Sequence, residues 1–201
     1  MNEISLEDIK KALQELLVDG LLDDGIKDQT AILKEDDICA KLKEVKIIKV
    51  PDNSILIKMD YGNANDIFRS EKGQRRRCDY LLITDRSNKR NRGNKKILLF
   101  VELKSKTFSD IAIAQKFHAS ECLFDYILSM LNHFHKIDFE LGECKKRFVL
   151  FHQMHINKNP VHPTKKNGKT QVQIQRSGLI PEDYLSIKFS PNEPPTLKSL
   201  S

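Results

Sequence analysis

Two carboxylates and a lysine in the middle of the chain have types and spacing that suit chemistry. Glu102 and Lys104 stand two apart in FVELKSK, residues 100–106. In a strand, alternate side chains leave by opposite faces, so Glu102 and Lys104 share one face while Leu99, Val101 and Leu103 take the other. Asp79 lies near the start of the preceding apolar run, CDYLLIT, directly after the basic QRRR of residues 74–77. Such a trio suits phosphodiester hydrolysis. A hard divalent cation, Mg2+ or Mn2+, prefers oxygen ligands and keeps several waters, so two carboxylates plus a substrate phosphate hold it. It stabilises charge on the phosphoryl oxygens and helps generate hydroxide. A neighbouring lysine orients or helps deprotonate the attacking water, or balances the developing charge. Asp79 and Glu102 are therefore candidate metal ligands, and Lys104 is the candidate group acting on water. Taken alone, Glu102 and Lys104 are equally well explained by an ion pair on a half-buried strand.

The trio meets only if the elements around it place it. An antiparallel pair formed by CDYLLIT (78–84) and KILLFVELKSK (96–106) sets the start of the first strand beside the end of the second. The intervening DRSNKRNRGNKK has no apolar residue and reads as an exposed basic loop. Upstream, Ser5 and Asp8 form a capping signal, and Ile9, Leu13, Leu16 and Leu17 recur at helical spacing, which predicts a helix over 6–18. DGLLDDGIKD reads as a loop and KEDDICAKLKEV (34–45) as a second short helix. VKIIKV (45–50) and SILIKMD (54–60), joined by PDN, read as a hairpin. Downstream, Ser109 caps a long helix through residues 110–136 whose apolar face includes Ala114, Phe117, Leu123, Ile127, Leu128, Leu131 and Phe134. A strand follows in KRFVLFHQMHI (146–156), then a basic loop, NKNPVHPTKKNGKT. VQIQR and YLSIKF read as two final short strands. The expected fold is α/β, a central mixed sheet flanked by helices. It forms a single domain over 1–189 with a helical N-terminal region (about 1–44), and a loose tail over 190–201.

Asp79, the strand-loop-strand, Glu102-Leu103-Lys104 and the helix behind them resemble the PD-(D/E)xK nuclease superfamily, the fold of many restriction endonucleases and Holliday-junction resolvases. The predicted order over residues 1–156 is similar to that superfamily's α-β-β-β-α-β core. Cys78 stands where the motif's proline would precede Asp79. The resemblance implies a metal-dependent endodeoxyribonuclease acting on DNA, and a site role for Gln115 on the following helix. It also implies a further acid from the first helix, Glu15 in preference to Glu7. A chain of this size leaves little room for a separate recognition domain. Specificity then comes from a homodimer, a partner protein subunit or DNA structure, as in the nuclease subunit of a restriction or phage-defence system. The competing classes are a nucleic-acid-binding or scaffold subunit with a degenerate site, and an interaction module that docks through its acidic end.

Composition agrees with a polyanion partner. Net charge is +6 over 201 residues. Residues 1–45 hold twelve acids and six bases, whereas residues 68–106 hold thirteen bases and four acids. The basic segments name candidate phosphate contacts: Arg75, Arg76 and Arg77 in one, Lys89, Arg90 and Arg92 in another, and residues 165–169 in a third. Asp60 is a further candidate ligand, and His118, one turn beyond Gln115, a candidate substrate contact. His133 and His135 on a helix, and His152 and His155 on a strand, do not face one another, so neither pair suits zinc. No Walker or Rossmann glycine loop is present. Four cysteines without a CxxC point to a reduced, cytoplasmic chain. The opening MNEISLEDIKKALQ is unlike a signal or transit peptide, and no apolar run is long enough to span a bilayer.

Overall fold

The computed structural model describes residues 5–36, 38–60, 74–86, 95–105, 108–137, 139, 144–152, 165–166, 169–173, 183–188 and 195–200. Helix α1 is Leu6–Leu16. Its start is fixed locally, because the Ser5 hydroxyl accepts from the Asp8 N–H and the Asp8 carboxylate accepts from the Ser5 N–H. Leu6, Ile9, Ala12 and Leu13 form its buried stripe.

The chain then departs from the expected helical region over 1–44. Strands β1 (Ile26–Lys27), β2 (Thr30–Lys34) and β3 (Glu44–Ile48) make a three-stranded antiparallel sheet. Asp28 and Gln29 both take positive φ, 49° and 55°, as a two-residue hairpin turn requires. The helix expected over 34–45 is absent. Residues 38–43 form a turn whose Ala40 and Leu42 are buried while Ile38 stands in solvent, and Leu42 N–H donates to Ser105 Oγ at 2.8 Å.

Among the described residues the main sheet has seven strands: β4 (Ile55–Lys58), β5 (Tyr80–Arg86), β6 (Lys95–Lys104), β7 (Lys145–His152), β8 (Lys165–Lys166), β9 (Lys169–Gln173) and β10 (Asp183–Lys188). Their order across the sheet is β4-β5-β6-β7-β10-β9-β8. Strands β4, β5 and β6 are antiparallel neighbours, and β7 is parallel to β6. The expected hairpin of 45–50 with 54–60 does not form: β3 pairs with β2, and β4 pairs with β5 in the other sheet. The switch is made where Lys49 takes φ 63° and buried Val50 donates its N–H to Gln29 O. Helix α2 (Asp110–Met130) and a single π turn (Leu131–His135) connect β6 to β7. Ser109 holds the N-cap position without a side-chain bond, and Lys136, with φ 55°, ends the helical run.

Two cores flank the main sheet. On one face, Ile55, Ile57, Leu81, Ile83, Leu98, Phe100 and Leu150 pack against α1 and against Ile113, Phe117, Phe124 and Ile127 of α2. On the other, Leu56, Tyr80, Leu82, Leu99, Val101, Leu103, Val149 and Phe151 pack against Ala31, Leu33, Val45 and Ile47 of the small sheet. The protein is thus α/β, a mixed sheet between a helical layer and a second antiparallel sheet. The tail expected to be loose adds a short helix, α3 (Leu197–Leu200), whose Leu197 and Leu200 join the second core. Ile48 N–H donates to Pro195 O at 3.0 Å, and Ile48 bridges Thr196.

Candidate functional site

The register puts Tyr80 opposite Val101, so Asp79 falls beside Glu102 where β5 begins and β6 ends. Period two sends Glu102 and Lys104 to the helical face, together with Leu98 and Phe100. Two bonds hold Asp79, and a third anchors the residue before it. Its carboxylate Oδ2 accepts from Leu103 N–H at 2.5 Å. Its carbonyl accepts from Met59 N–H at 2.8 Å. One residue earlier, Cys78 N–H donates to Ser120 Oγ on α2 at 2.7 Å. Leu103 can donate sideways because β5 starts at Tyr80 and leaves that N–H without a ladder partner.

Glu102 is fully buried, at 0% exposure. Its Oε1 takes two ammonium groups, Lys104 Nζ at 2.6 Å and Lys116 Nζ at 2.8 Å. Its Oε2 has no hydrogen-bond partner among the described residues. Burial raises the Glu102 carboxyl above its ordinary range, and the two lysines offset only part of that rise. Burial also raises half-buried Asp79, and the negative charge of Glu102 pushes it further. Burial alone would favour loss of the Lys116 proton, but Glu102 and Asp79 reverse this and hold the ammonium charged. Asp60, exposed just after β4, adds to the same field. Asp79, Glu102 and Lys104 are therefore adjacent, and Asp60 is within electrostatic reach.

The remaining candidates fall in several places. Gln115 is on α2, half-buried, and its Oε1 accepts from Arg76 Nη1 at 3.1 Å. No hydrogen bond joins it to Asp79 or Glu102 among the described residues; the α2 side chain that reaches Glu102 is Lys116. His118 Nε2 is 4.0 Å from Cys122 Sγ. Among the described residues no hydrogen bond or ion pair joins a first-helix acid to Lys104 or Lys116; both lysines pair with Glu102. Glu7 is exposed, and exposed Glu15 pairs with His135 Nδ1 at 3.6 Å, at the far end of the long helix. Nineteen residues separate His135 from Lys116, about 28 Å along a helix. Arg75 and Arg76 are exposed, whereas Arg77 is buried and donates to the Gln74 and Arg76 carbonyls. Arg77 is thus committed to shaping the turn before Asp79. Lys89, Arg90 and Arg92 lie outside the described residues, as does His155. His152 is buried beside Lys104 on β7, its ring edge-on to Phe108. His133 bonds the Ser129 carbonyl at 3.0 Å.

Sequence reasoning missed Lys116 and Ser120. The signal was present in the helix period: Lys116 is three residues after buried Ile113 and four before buried Ser120, so it is a charged residue on the inward face. Ser120 Oγ donates to Lys116 O and accepts from Cys78, which ties the Asp79 turn to the same helical turn as Lys116.

Comparison of the chain with protein-family models, with curated proteins and with solved structures finds no match. The functional reading therefore stands on the site's own chemistry.

Among the described residues no group of three or more His, Cys, Asp or Glu side chains is arranged to hold a metal ion. The donor set fits a hard cation that retains waters: two carboxylates, one of them with a buried oxygen that no described residue satisfies. It does not fit zinc, which takes four protein ligands in structural sites and three in catalytic ones. No helix among the described residues is long and apolar enough to cross a membrane.

Proposed function

We propose that this chain is a metal-dependent nuclease of the PD-(D/E)xK type that hydrolyses phosphodiester bonds of DNA. The single observation that carries the reading is Glu102. Its carboxylate is wholly buried beside Asp79 and Lys104, yet Oε2 has no partner among the described residues. Burying an unsatisfied carboxylate oxygen is costly, and a structural ion pair gives no reason to retain it. The antiparallel β4-β5-β6 run, with β7 returned parallel to β6 by α2, supports a restriction endonuclease-like core.

Asp79 and Glu102 would hold Mg2+ or Mn2+. Such an ion supplies charge stabilisation at the phosphoryl oxygens and a more acidic bound water. Lys104, about a quarter exposed, would hold the attacking water and balance charge on the pentacoordinate phosphorus. Leu103 N–H fixes the Asp79 carboxylate, and buried Glu102 cannot rotate freely, so both are pre-organised. Arg76 and Gln115 form a polar rim for the phosphate backbone. The chain would serve as the nuclease subunit of a restriction or phage-defence system, with specificity from a second copy or a partner subunit.

A second reading is favoured by one observation: the two ammonium groups on Oε1 neutralise Glu102 without any metal. A nucleic-acid-binding subunit with a degenerate nuclease fold would have this feature. Incubating the protein with plasmid, linear and single-stranded DNA and with RNA, in Mg2+, Mn2+ or chelator, separates the two. The nuclease reading expects metal-dependent cleavage that falls at least about a hundredfold in Glu102→Ala and Lys104→Ala. Binding without cleavage, by the chain alone and with any co-purifying protein, selects the degenerate subunit.

A further inference from the structure

Lys116 is an odd neighbour for a metal ligand. Its ammonium is 2.8 Å from Glu102 Oε1, its side chain is only 19% exposed, and it comes from the helical layer rather than from the strands that carry the motif. The acidic groups at this end of the sheet come from three successive strands. Asp60 follows β4, Asp79 precedes β5, and Glu102 lies in β6. The fields of Asp79 and Asp60 both act on the Lys116 ammonium, in addition to its contact with Glu102. A cation in contact with buried Glu102, and within the field of Asp79 on the neighbouring strand, is where a divalent ion would gain most.

We propose that the Lys116 ammonium is a built-in exchangeable cation, which fills the divalent-metal position in the metal-free protein and moves out to solvent when Mg2+ or Mn2+ enters. The proposal rests on the nuclease reading's metal site. The exchange transfers no proton: a +1 ammonium leaves and a +2 ion takes its place against the same carboxylates. A lysine suits the role. Its charge is a compact point on a flexible four-carbon stem, and it recovers strong hydration when it returns to water. The buried carboxylates are then neutralised in both states, which keeps the strand ends in place during exchange. Lys104 has a different post. It leaves from the strand end, is more exposed, and shares Glu102 without coming from the helix. Exchange would leave Lys104 at the site and place Lys116 near the rim formed by Arg76 and Gln115, where a phosphate backbone would meet it.

The test uses Mn2+ as the probe and reads binding rather than cleavage. Free Mn2+ is measured by paramagnetic resonance for the wild type, Lys116→Met and Glu102→Gln at one pH. In parallel, the wild type is acylated with an amine reagent with and without Mn2+, and lysine labelling is read by peptide mass spectrometry. This second arm needs no substitution, so it stands if Lys116→Met fails to fold. The expected result has three parts. Mn2+ binding is lost in Glu102→Gln and tightens about tenfold or more in Lys116→Met. Labelling of Lys116 rises several-fold when Mn2+ is added. Binding that depends on Glu102, with Lys116 labelling unchanged by Mn2+, overturns the exchange and leaves the metal site standing. Absence of binding to both the wild type and a folded Lys116→Met at millimolar Mn2+ overturns the metal site itself, and the exchange with it.

Discussion

Asp79 is held more tightly than a surface aspartate because the strand edge beside it is unfinished. Leu103 N–H has no ladder partner at that point and donates to the Asp79 carboxylate instead. That bond lowers the carboxyl's pKa, but burial and the charge of Glu102 outweigh it and leave the net shift upward. The sign of the resulting pH dependence follows. A carboxyl whose folded pKa lies above its unfolded value binds more protons in the native state, so its contribution to stability is fully present below about pH 4. That contribution is lost as pH rises through the folded value. Asp79→Asn removes the penalty while keeping an oxygen to accept from Leu103. In chelator, urea unfolding at pH 7.5 should find Asp79→Asn more stable than the wild type, with the gap closing as pH falls towards 4. A gap of opposite sign, or one independent of pH, would show that Asp79 is not carrying a buried charge. With Mn2+ added, the wild type should gain stability by mass action and the variant should not.

The elements that hold these residues vary in how far local sequence determines them. Helix α1 is written in adjacent residues, Ser5, Asp8 and the stripe after them, and it forms as read. The β5–β6 pair is equally legible, since its two apolar runs are long and the polar connection between them is unambiguous. Asp79, Glu102 and Lys104 could be brought together on paper for that reason. The small sheet was illegible because β1 is two residues long and its turn, Asp28-Gln29, lacks the glycine that usually marks such a hairpin. The 45–60 region misleads for the opposite reason. PDN gives a strong local turn signal, yet tertiary packing of Val50 and the Gln29 bond sends the two strands into different sheets. Lys116 was hidden because a charged residue on a helix reads as solvated until its partner, 14 residues away in sequence, is known.

The C-terminal segment shows the same limit and supplies an element-scale test. Leu197 and Leu200, three apart after a proline-rich stretch, face one way on a single turn and close the second core against the small sheet. Leu200 is 2% exposed, so Leu200→Ala loses its transfer energy and leaves a partial cavity. A single helical turn relaxes readily around a lost side chain, which places the cost near the low end for such changes, about 2 kcal/mol. The expected shift in Tm is a drop of roughly 4–8 °C, read by circular dichroism. A change under about 0.5 kcal/mol in urea unfolding would mean that α3 does not dock in solution.

At the scale of the whole molecule, charge is separated along the chain and the site lies in the basic part. Residues 1–45 carry twelve acids against six bases, whereas Arg75 and Arg76 lie exposed just before Asp79, with Arg76 against Gln115. An acidic remainder repels a polyanion and a basic approach attracts it, so a nucleic acid would be steered to the end of the sheet where β5 starts and β6 stops. Such binding is carried by phosphate contacts and counterion release, which makes its salt dependence countable. Each phosphate-contacting side chain contributes about 0.9 to the slope of log K against log salt for duplex DNA. Arg75→Ala with Arg76→Ala should therefore weaken binding at low salt and reduce that slope by about 2, with little change across sequences. Arg77 is a control of a different kind. It is buried, burial lowers its pKa, and it braces the turn through two carbonyls, so Arg77→Ala should lower stability rather than change the slope of the folded fraction. Fluorescence anisotropy of labelled duplex from 50 to 300 mM salt (roughly the range where the slope is linear) distinguishes them. An unchanged slope in the double variant would remove Arg75 and Arg76 from the interface and leave the basic β5–β6 connection as the seat of attraction.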